Sequence, residues 1–368
     1  MSELAPFKVA PRLDMKPWGG DRLATFGYEA PADSVEPLGE VHITHGESRV
    51  ASGPLAGMTL AALAAADPAL YVGERGLAVT GGAAVFPLLI KFIDASQDLS
   101  VQLHPNDLLA REHGDVTGKT EAWHVLAATE GATLYAGLEP GFDAEDFVAG
   151  VRSGDPGMVR FLREIPAVPG QTVLLPAGTI HALGAGVMIY EIQQPTNTTY
   201  RLWDWGRLDG YGKPRELHLD LGIRAMRAEY VPEPTWGLPM PSLDVQRDLL
   251  AACEVFALER LTVHVGDLLG LSPIASPQVL TCLGGVARVT GHGVEVSLQR
   301  GESAIVPVGG MCAVEATMPA VVLRGWVPDL AQEIVRPARA EGASDDEIAA
   351  LAAPLNDLRR AIEASSAQ

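Results

Sequence analysis

Long helical patterns are few in this chain. Short apolar runs broken by glycine, proline and polar clusters dominate it, which is the signature of strands joined by turns. Residues 1–57 give FKVAPRL, a Pro-Trp-Gly-Gly turn at 17–20 and GEVHITHG. His42 and His45 lie three apart on one predicted strand, so they are expected on opposite faces and not as a joint metal pair. TLAALAAAD at 59–67 offers a Thr N-cap and helix formers, then Pro68, and predicts a short helix. VFPLLIKFI at 85–93 reads as a nearly continuous apolar strand, buried on both faces. Lys91 inside that run needs a partner or a cavity, unless its stem snorkels to water.

Two further strands follow at 99–104 and 119–128, separated by Pro105-Asn106-Asp107 and a short helix through about His113. Residues 139–165 predict a helical insertion of two short helices. Phe142, Phe147 and Val151 mark the inner face of one, and Met158, Phe161 and Leu162 that of the other. Strands are predicted at 170–181 and 186–194, with a strand or ordered loop at 199–207 and a helix at 215–227. The proline-rich stretch 231–243 reads as a linker, and short β runs fill 244–328. The tail 344–363 opens with a capping-box sequence, Ser344 to Glu347. Ile348, Leu351, Leu355, Leu358 and Ile362 then form an amphipathic stripe that Pro354 should break or kink.

The composition fits this reading. The chain has 368 residues, 47% hydrophobic and 20% charged, with 39 Gly and 27 Pro, which is enough for two or three globular domains. A net charge of −19 argues against nucleic acid and anionic membrane surfaces as partners, but not against a small anion held by a few local cations. Cys253, Cys282 and Cys312 have no paired spacing, so free thiols in a reducing compartment are expected. There is no apolar leader in the first residues and no run long enough to span a bilayer, so a soluble, cytoplasmic protein is expected.

The chemistry gathers around VQLHP at 101–105. Gln102 and His104 share one face of a strand, and Lys119, Glu121 and Trp123 share one face of a later strand. Sixty residues past Glu121, GQTVLLPAGTIHAL delivers His181 just after a Pro-Ala-Gly turn. Gln102, His104, Glu121 and His181 offer one amide oxygen, two imidazoles and a carboxylate. That set suits zinc, and also iron, manganese, nickel or cobalt, and an open position favours catalysis. Lys119, Arg201, Arg207, Lys213 and Arg215 put cations nearby, which points to an anionic ligand such as a phosphate. Arg201 and Arg207 have an alternative use in ion pairs with Asp204 and Asp209.

A repeat ties the site to the fold. Gly170, Pro176, Gly178 and His181 are matched, 131 positions later, by Gly301, Pro307, Gly309 and Cys312. Each copy is a strand followed by a tight turn, and the second copy lacks the ligands. The pattern predicts a mainly β protein with two jelly-roll β-barrels, the first holding a metal and the second not. A small helical insertion and a helical C-terminal tail complete it.

KPWGGDRL at 16–23, FPLLIKFIDASQDLSVQLHPND at 86–107, GKTEAWHVL at 118–126, LPAGTIHALGAG at 175–186 and YEIQQPTNTTYRLWDWGR at 190–207 together resemble the type I mannose-6-phosphate isomerases (phosphomannose isomerases), zinc enzymes of the cupin superfamily. The resemblance implies two cupin-like barrels. A metal-binding catalytic domain would span 1–240, a second cupin-like domain without metal ligands 241–330, and the helical tail 331–368. It implies zinc, one per chain, on Gln102, His104, Glu121 and His181, and active-site roles for Lys119, Glu191 and Arg201. Trp18, Lys91 and Arg207 would contact a small sugar phosphate, the expected partner of a monomeric chain. Two departures concern the sugar pocket: His42 stands where relatives often carry Trp, and Asn197 where some carry Asp.

The implied reaction interconverts mannose 6-phosphate and fructose 6-phosphate through a cis-enediol. Glu191 or Lys119 would shuttle the proton, with Glu191 preferred because a cationic Lys119 better stabilises an oxyanion. Arg201 would neutralise the enediolate, and Lys91 or Arg207 the phosphate. The alternatives are a sugar- or metal-binding cupin without turnover and a cupin oxygenase.

Overall fold

A computed structural model describes residues 3–208 and 212–366. Its strands, in chain order, begin with β1 (Phe7–Ala10), β2 (Arg12–Met15), β3 (Leu38–His42) and β4 (Arg49–Val50). The site-bearing region supplies β5 (Leu89–Ala95), β6 (Val101–Leu103), β7 (Glu121–Ala128), β8 (Thr133–Leu138), β9 (Leu162–Pro166), β10 (Thr172–Leu175), β11 (His181–Leu183), β12 (Val187–Gln193) and β13 (Tyr200–Trp203). Beyond it lie β14 (Pro234–Thr235), β15 (Leu238–Pro239), β16 (Gln246–Ala252), β17 (Ala257–Val263), β18 (Leu268–Leu271), β19 (Gln278–Gly291), β20 (Val294–Gln299), β21 (Ser303–Val306) and β22 (Cys312–Trp326).

These strands form three antiparallel sheets. A seven-stranded sheet runs β14-β10-β7-β12-β5-β3-β2, a five-stranded sheet runs β13-β6-β11-β8-β9, and a ten-stranded sheet is built mainly from β15–β22. Each hydrogen-bonded path has two free ends, so the expected barrels stand as open, facing sheets. β1 and β4 do not stay with the first half of the chain. β1 pairs with β21 on one side and β4 on the other, and so extends the ten-stranded sheet.

Side-chain alternation explains the layering. In β12 every residue is buried. Val187 and Ile189 join Trp18, Trp123 and Leu183 in the core between the seven- and five-stranded sheets. Met188, Tyr190 and Ile192, one step out of phase, join Phe92, Val279 and Leu323 against the ten-stranded sheet. This two-sided burial accounts for the continuous apolar runs of β5 and β12, each fully buried Leu, Ile or Phe side chain being worth about 1.5–3 kcal/mol.

The smaller elements follow local chemistry. Thr59 caps the helix Leu60–Ala66 by accepting from Ala62 N, and Asn106 caps Asp107–Glu112 in the same way. The insertion forms a helix, Ala144–Ser153, and a 3-10 turn, Pro156–Phe161. Phe147, Val151, Met158 and Phe161 pack with Val101, Leu103 and Leu202 of the five-stranded sheet. In the tail, the predicted break divides the helices Asp345–Ala350 and Asp357–Ser366. The Ser344–Glu347 capping box is present, and the stripe packs beside Trp326 and Ile334. No helix among the described residues is long and apolar enough to cross a membrane.

The repeat is realised in three dimensions. β10 leads through its turn to His181 at the start of β11, and β21 leads through the matching turn to Cys312 at the start of β22. Gly178 (φ +89°) and Gly309 (φ +74°) both occupy the left-handed region that disfavours a side chain. Cys312 ends among Leu280, Val289 and Val314, so the second copy points an apolar group where the first points a ligand.

Candidate active site

Two rows of cross-strand neighbours carry the site. On the seven-stranded sheet Arg12, His42, Lys91, Glu191 and Trp123 stand side by side on β2, β3, β5, β12 and β7. On the five-stranded sheet Arg201, Gln102 and His181 form the facing row on β13, β6 and β11. Directly opposed residues project to the same face. The two faces meet where the Trp123 ring lies edge-on to His181, centroids 5.2 Å apart.

His104, Glu121 and His181 converge at the bottom, with ligand atoms all within 4.8 Å of one another. His104 Nε2 and His181 Nε2 each stand 3.4 Å from an oxygen of Glu121. The Nδ1–H of His104 donates to the Thr198 carbonyl at 2.9 Å, and that of His181 to the Thr179 carbonyl at 2.9 Å. Both Nε2 lone pairs are thereby turned inward. Lys119 Nζ is 2.7 Å from Glu121 Oε2, yet among the described residues no hydrogen bond of good geometry reaches either Glu121 oxygen or His104 Nε2, all fully buried. Buried polar atoms that lack a hydrogen bond are costly, and these atoms converge as a donor set that suits a cation. Gln102 Nε2 lies 3.4 Å from His181 Nε2 while its Oε1 accepts from Ser100 Oγ at 3.0 Å. A half-turn of the amide brings the oxygen to the histidine side.

Charge states suit a divalent cation. Burial, reinforced by Lys119, holds the His104 imidazolium down to about 3, and burial lowers His181 too, so both rings are neutral at pH 7. Burial alone would raise the Glu121 carboxyl, but Lys119 and the two histidines outweigh it and hold it well below the usual range. Two neutral imidazoles and a carboxylate, with an amide oxygen in reach, match the chemistry of a zinc-type site.

Local structure places each group. The Pro176–Gly178 turn, pinned by Gly178 N–H donating to the His104 carbonyl at 2.8 Å, delivers His181. Asp107 accepts from Gly118 N at 2.7 Å and from the Gln194 amide at 3.0 Å, and Gln194 Oε1 accepts from Thr120 N at 2.9 Å. These bonds fix the loop that carries Lys119.

Above the ligand group opens a cavity of about 370 Å³ lined by Trp18, Lys91, Gln102, Lys119, Glu191 and Arg201, all predicted from sequence. Glu191 Oε1 accepts from the Trp123 indole at 3.1 Å, while Oε2 is buried without a hydrogen bond. Burial, only partly offset by Lys119 and Lys91, raises the Glu191 carboxyl. Lys91 is committed within the protein: Asn197 Oδ1 is at 2.9 Å, Glu191 at 3.4 Å and Glu40 at 3.5 Å. Burial disfavours its ammonium, but the carboxylates of Glu40 and Glu191 outweigh that and raise it. Arg201 donates to Ser100 Oγ at 3.3 Å and to the Glu216 carbonyl at 2.9 Å.

Arg207 is the predicted contact that does not line this cavity. Its guanidinium bonds to the Asp98 carbonyl and lies 3.4 Å from Asp204. Asp209, its other expected partner, lies outside the described residues. The cavity instead receives Arg215, held by Asp204 through two hydrogen bonds at 2.7 and 2.5 Å, together with His218. Asp14, Lys16 and Glu40 also line it and were missed, while His42, noted from sequence only as a departure near the sugar pocket, lines it too. The signal was the i, i+2 spacing of Glu40 and His42 in GEVHIT. The expected opposition of His42 and His45 fails because β3 ends at His42, and the chain then turns the two rings to 5.5 Å.

Comparison with known proteins points one way. Residues 7–123 match the model for the phosphomannose isomerase type I catalytic domain. The mannose-6-phosphate isomerase of Streptococcus mutans is 31% identical over 306 residues, 82% of this chain and 92% of that protein. A mannose-6-phosphate isomerase of Bacillus subtilis is 36% identical over 234 residues, covering 62% of this chain and 70% of the relative. The crystal structure of a mannose 6-phosphate isomerase from Bacillus subtilis aligns with a TM-score of 0.74 at 27% identity, over 87% of this chain and 99% of the other.

Proposed function

The chain belongs to the mannose-6-phosphate isomerase family of type I phosphomannose isomerases, and on that premise we propose that its cavity interconverts mannose 6-phosphate and fructose 6-phosphate with a bound divalent metal. His104, Glu121 and His181 would hold the metal, with Gln102 as the fourth ligand. When bound, the metal supplies Lewis-acid polarisation of the sugar carbonyl. The observation that carries this reading is the convergence of the ligand atoms of His104, Glu121 and His181 within 4.8 Å of one another, beside a cavity that Gln102, Lys119 and Glu191 line.

Glu191 is the proton carrier. Its carboxylate takes the proton from C2, the C–H electron pair becomes the C1–C2 double bond, and the carbonyl oxygen gains the charge. A proton passes from O2 to O1, and Glu191 returns its proton to C1 on the same face. Burial beside Glu121 makes Glu191 a stronger base than an exposed carboxylate. Lys119 supplies positive charge beside the developing enediolate. The phosphate belongs at the Arg201–Arg215 end. There burial, then the nearby Arg215, lowers the affinity of Arg201 for its own proton, and a dianion would relieve that crowding. Lys91, shared among Glu40, Glu191 and Asn197, is the charge partner of Glu191 and not a phosphate ligand.

In this reading the five- and seven-stranded sheets are a cupin-like catalytic lobe. The ten-stranded sheet is a cupin-like lobe without ligands that supports it. The test is direct: supply mannose 6-phosphate, measure fructose 6-phosphate, then repeat after chelation and after adding back zinc. Activity should vanish with the metal and return with it. Undiminished turnover in protein shown by elemental analysis to be metal-free would overturn the metal assignment.

A further inference from the structure

His42 has no part in the ligand set, yet it is buried to 1% exposure at the edge of the reaction cavity. Its Nε2 lies 2.6 Å from Glu40 Oε2, the shortest contact the ring makes among the described residues, while Nδ1 is buried with no partner. Lys91, then the hydrogen bond with His42, then Lys16 overcome the burial of Glu40 and hold its carboxyl well below the usual range, so Glu40 is an acceptor only. Burial keeps the His42 ring neutral, its imidazolium lowered to about 4. A neutral ring facing a carboxylate must carry its hydrogen on Nε2 and leave Nδ1 bare.

Glu40 Oε2 also receives Lys91, 3.5 Å away, and Lys91 reaches Glu191 at 3.4 Å. The backbone enforces this order, since His42 pairs directly with Lys91, and Lys91 with Glu191, across β3, β5 and β12. We propose that His42 is a positioning residue for the isomerisation. Its Nε2–H fixes the Glu40 carboxylate, and Glu40 in turn holds the Lys91 ammonium against Glu191, the proton carrier. Without the imidazole donor, Glu40 is free to swing toward Lys16, 3.8 Å from its other oxygen, and to draw Lys91 away from Glu191.

This inference rests on Glu191 as the proton carrier, so Glu191→Gln is run in the same assay. If that variant keeps full turnover, the parent reading fails, whatever His42 does. Given an inactive Glu191→Gln, the metal-loaded enzyme should lose about 10- to 100-fold in kcat on His42→Phe, with KM and metal content little changed. His42→Gln, which keeps an N–H donor, should recover most of that loss. Wild-type kcat in His42→Phe, or equal losses in the Phe and Gln variants, would overturn the proposal. An independent readout needs no variant that might misfold: the nitrogen-15 spectrum of the wild-type enzyme at neutral pH should show His42 as the Nε2–H tautomer. The Nδ1–H tautomer there would sink it.

Discussion

At the scale of single residues, the site separates neighbours by environment. Glu121 and Glu191 are both fully buried carboxylates, but Lys119 and two histidines pull the first down while burial pushes the second up. The same residue type is therefore held as an anion at one position and made a stronger base at the other, the split that the proposed roles require. Arg201 sits apart from both, on β13 beside Gln102, partly buried at the cavity wall. Its removal should leave the ligand group intact. Arg201→Ala is expected to lower kcat by about 10²–10³, the usual cost of deleting a preorganised charge-stabilising donor, with metal content unchanged by elemental analysis. A variant that stays fully active would show that Arg201 touches neither phosphate nor enediolate.

At the scale of elements, the strand–turn units decide where ligands fall, and the two copies of the repeat allow a controlled comparison. Among the described residues a Cβ at Gly309 would meet only Leu4, at 4.0 Å, so Gly309→Ala should cost only the left-handed backbone penalty of about 1–2 kcal/mol. A Cβ at Gly178 would stand 2.7 Å from the Ala225 carbonyl oxygen and 2.6 Å from Arg227 Cγ. Gly178→Ala should therefore be more destabilising than Gly309→Ala in urea unfolding, by about 1 kcal/mol or more. It should also bind metal more weakly, because the turn that shifts is the one that delivers His181. Equal effects of the two substitutions would mean that the first turn has no special hold on the ligand.

At the scale of the whole molecule, the candidate site lies on the inside of a three-sheet stack. β12 presents Glu191 to the cavity, while Tyr190 reaches the Thr281 hydroxyl of β19 at 3.1 Å on the opposite side. The price of so much burial is acid sensitivity. His124, bonded to Thr172 Oγ1 at 2.9 Å behind the site, has its imidazolium lowered to about 3 by burial and by Arg260. Below pH 6.5 the unfolded chain takes up a proton at this ring and the folded chain does not. Stability therefore falls as pH falls through that window, by up to about 1.4 kcal/mol per unit for one such group, and is unaffected above it. His124→Gln should accordingly lose about 2 kcal/mol less than the wild type between pH 7 and pH 5, measured by urea unfolding of the metal-free protein. An unchanged pH slope would show that His124 already titrates normally.

Local chemistry was enough to announce much of this. A nearly continuous apolar run announced β5, short apolar runs between turn residues announced β6, β7 and β12, and the Thr59, Asn106 and Ser344 signals placed three helix starts. The i, i+2 spacings of Gln102 with His104 and of Lys119 with Glu121, joined to the turn before His181, pointed to residues that the fold brings together. All of these depend on neighbours within a few positions, where strand geometry and turn chemistry are set by the residues themselves. Tertiary structure alone decided which distant strands lie side by side. Pairing β3 with β5 and β5 with β12 put His42 and Glu40 against Lys91 and Glu191. The fold also turned Arg207 to Asp98 and Asp204 while bringing Arg215 and His218 to the cavity, and it carried β1 to the far sheet. Strand order and register come from the burial of whole faces against one another, and no short window of sequence contains that information.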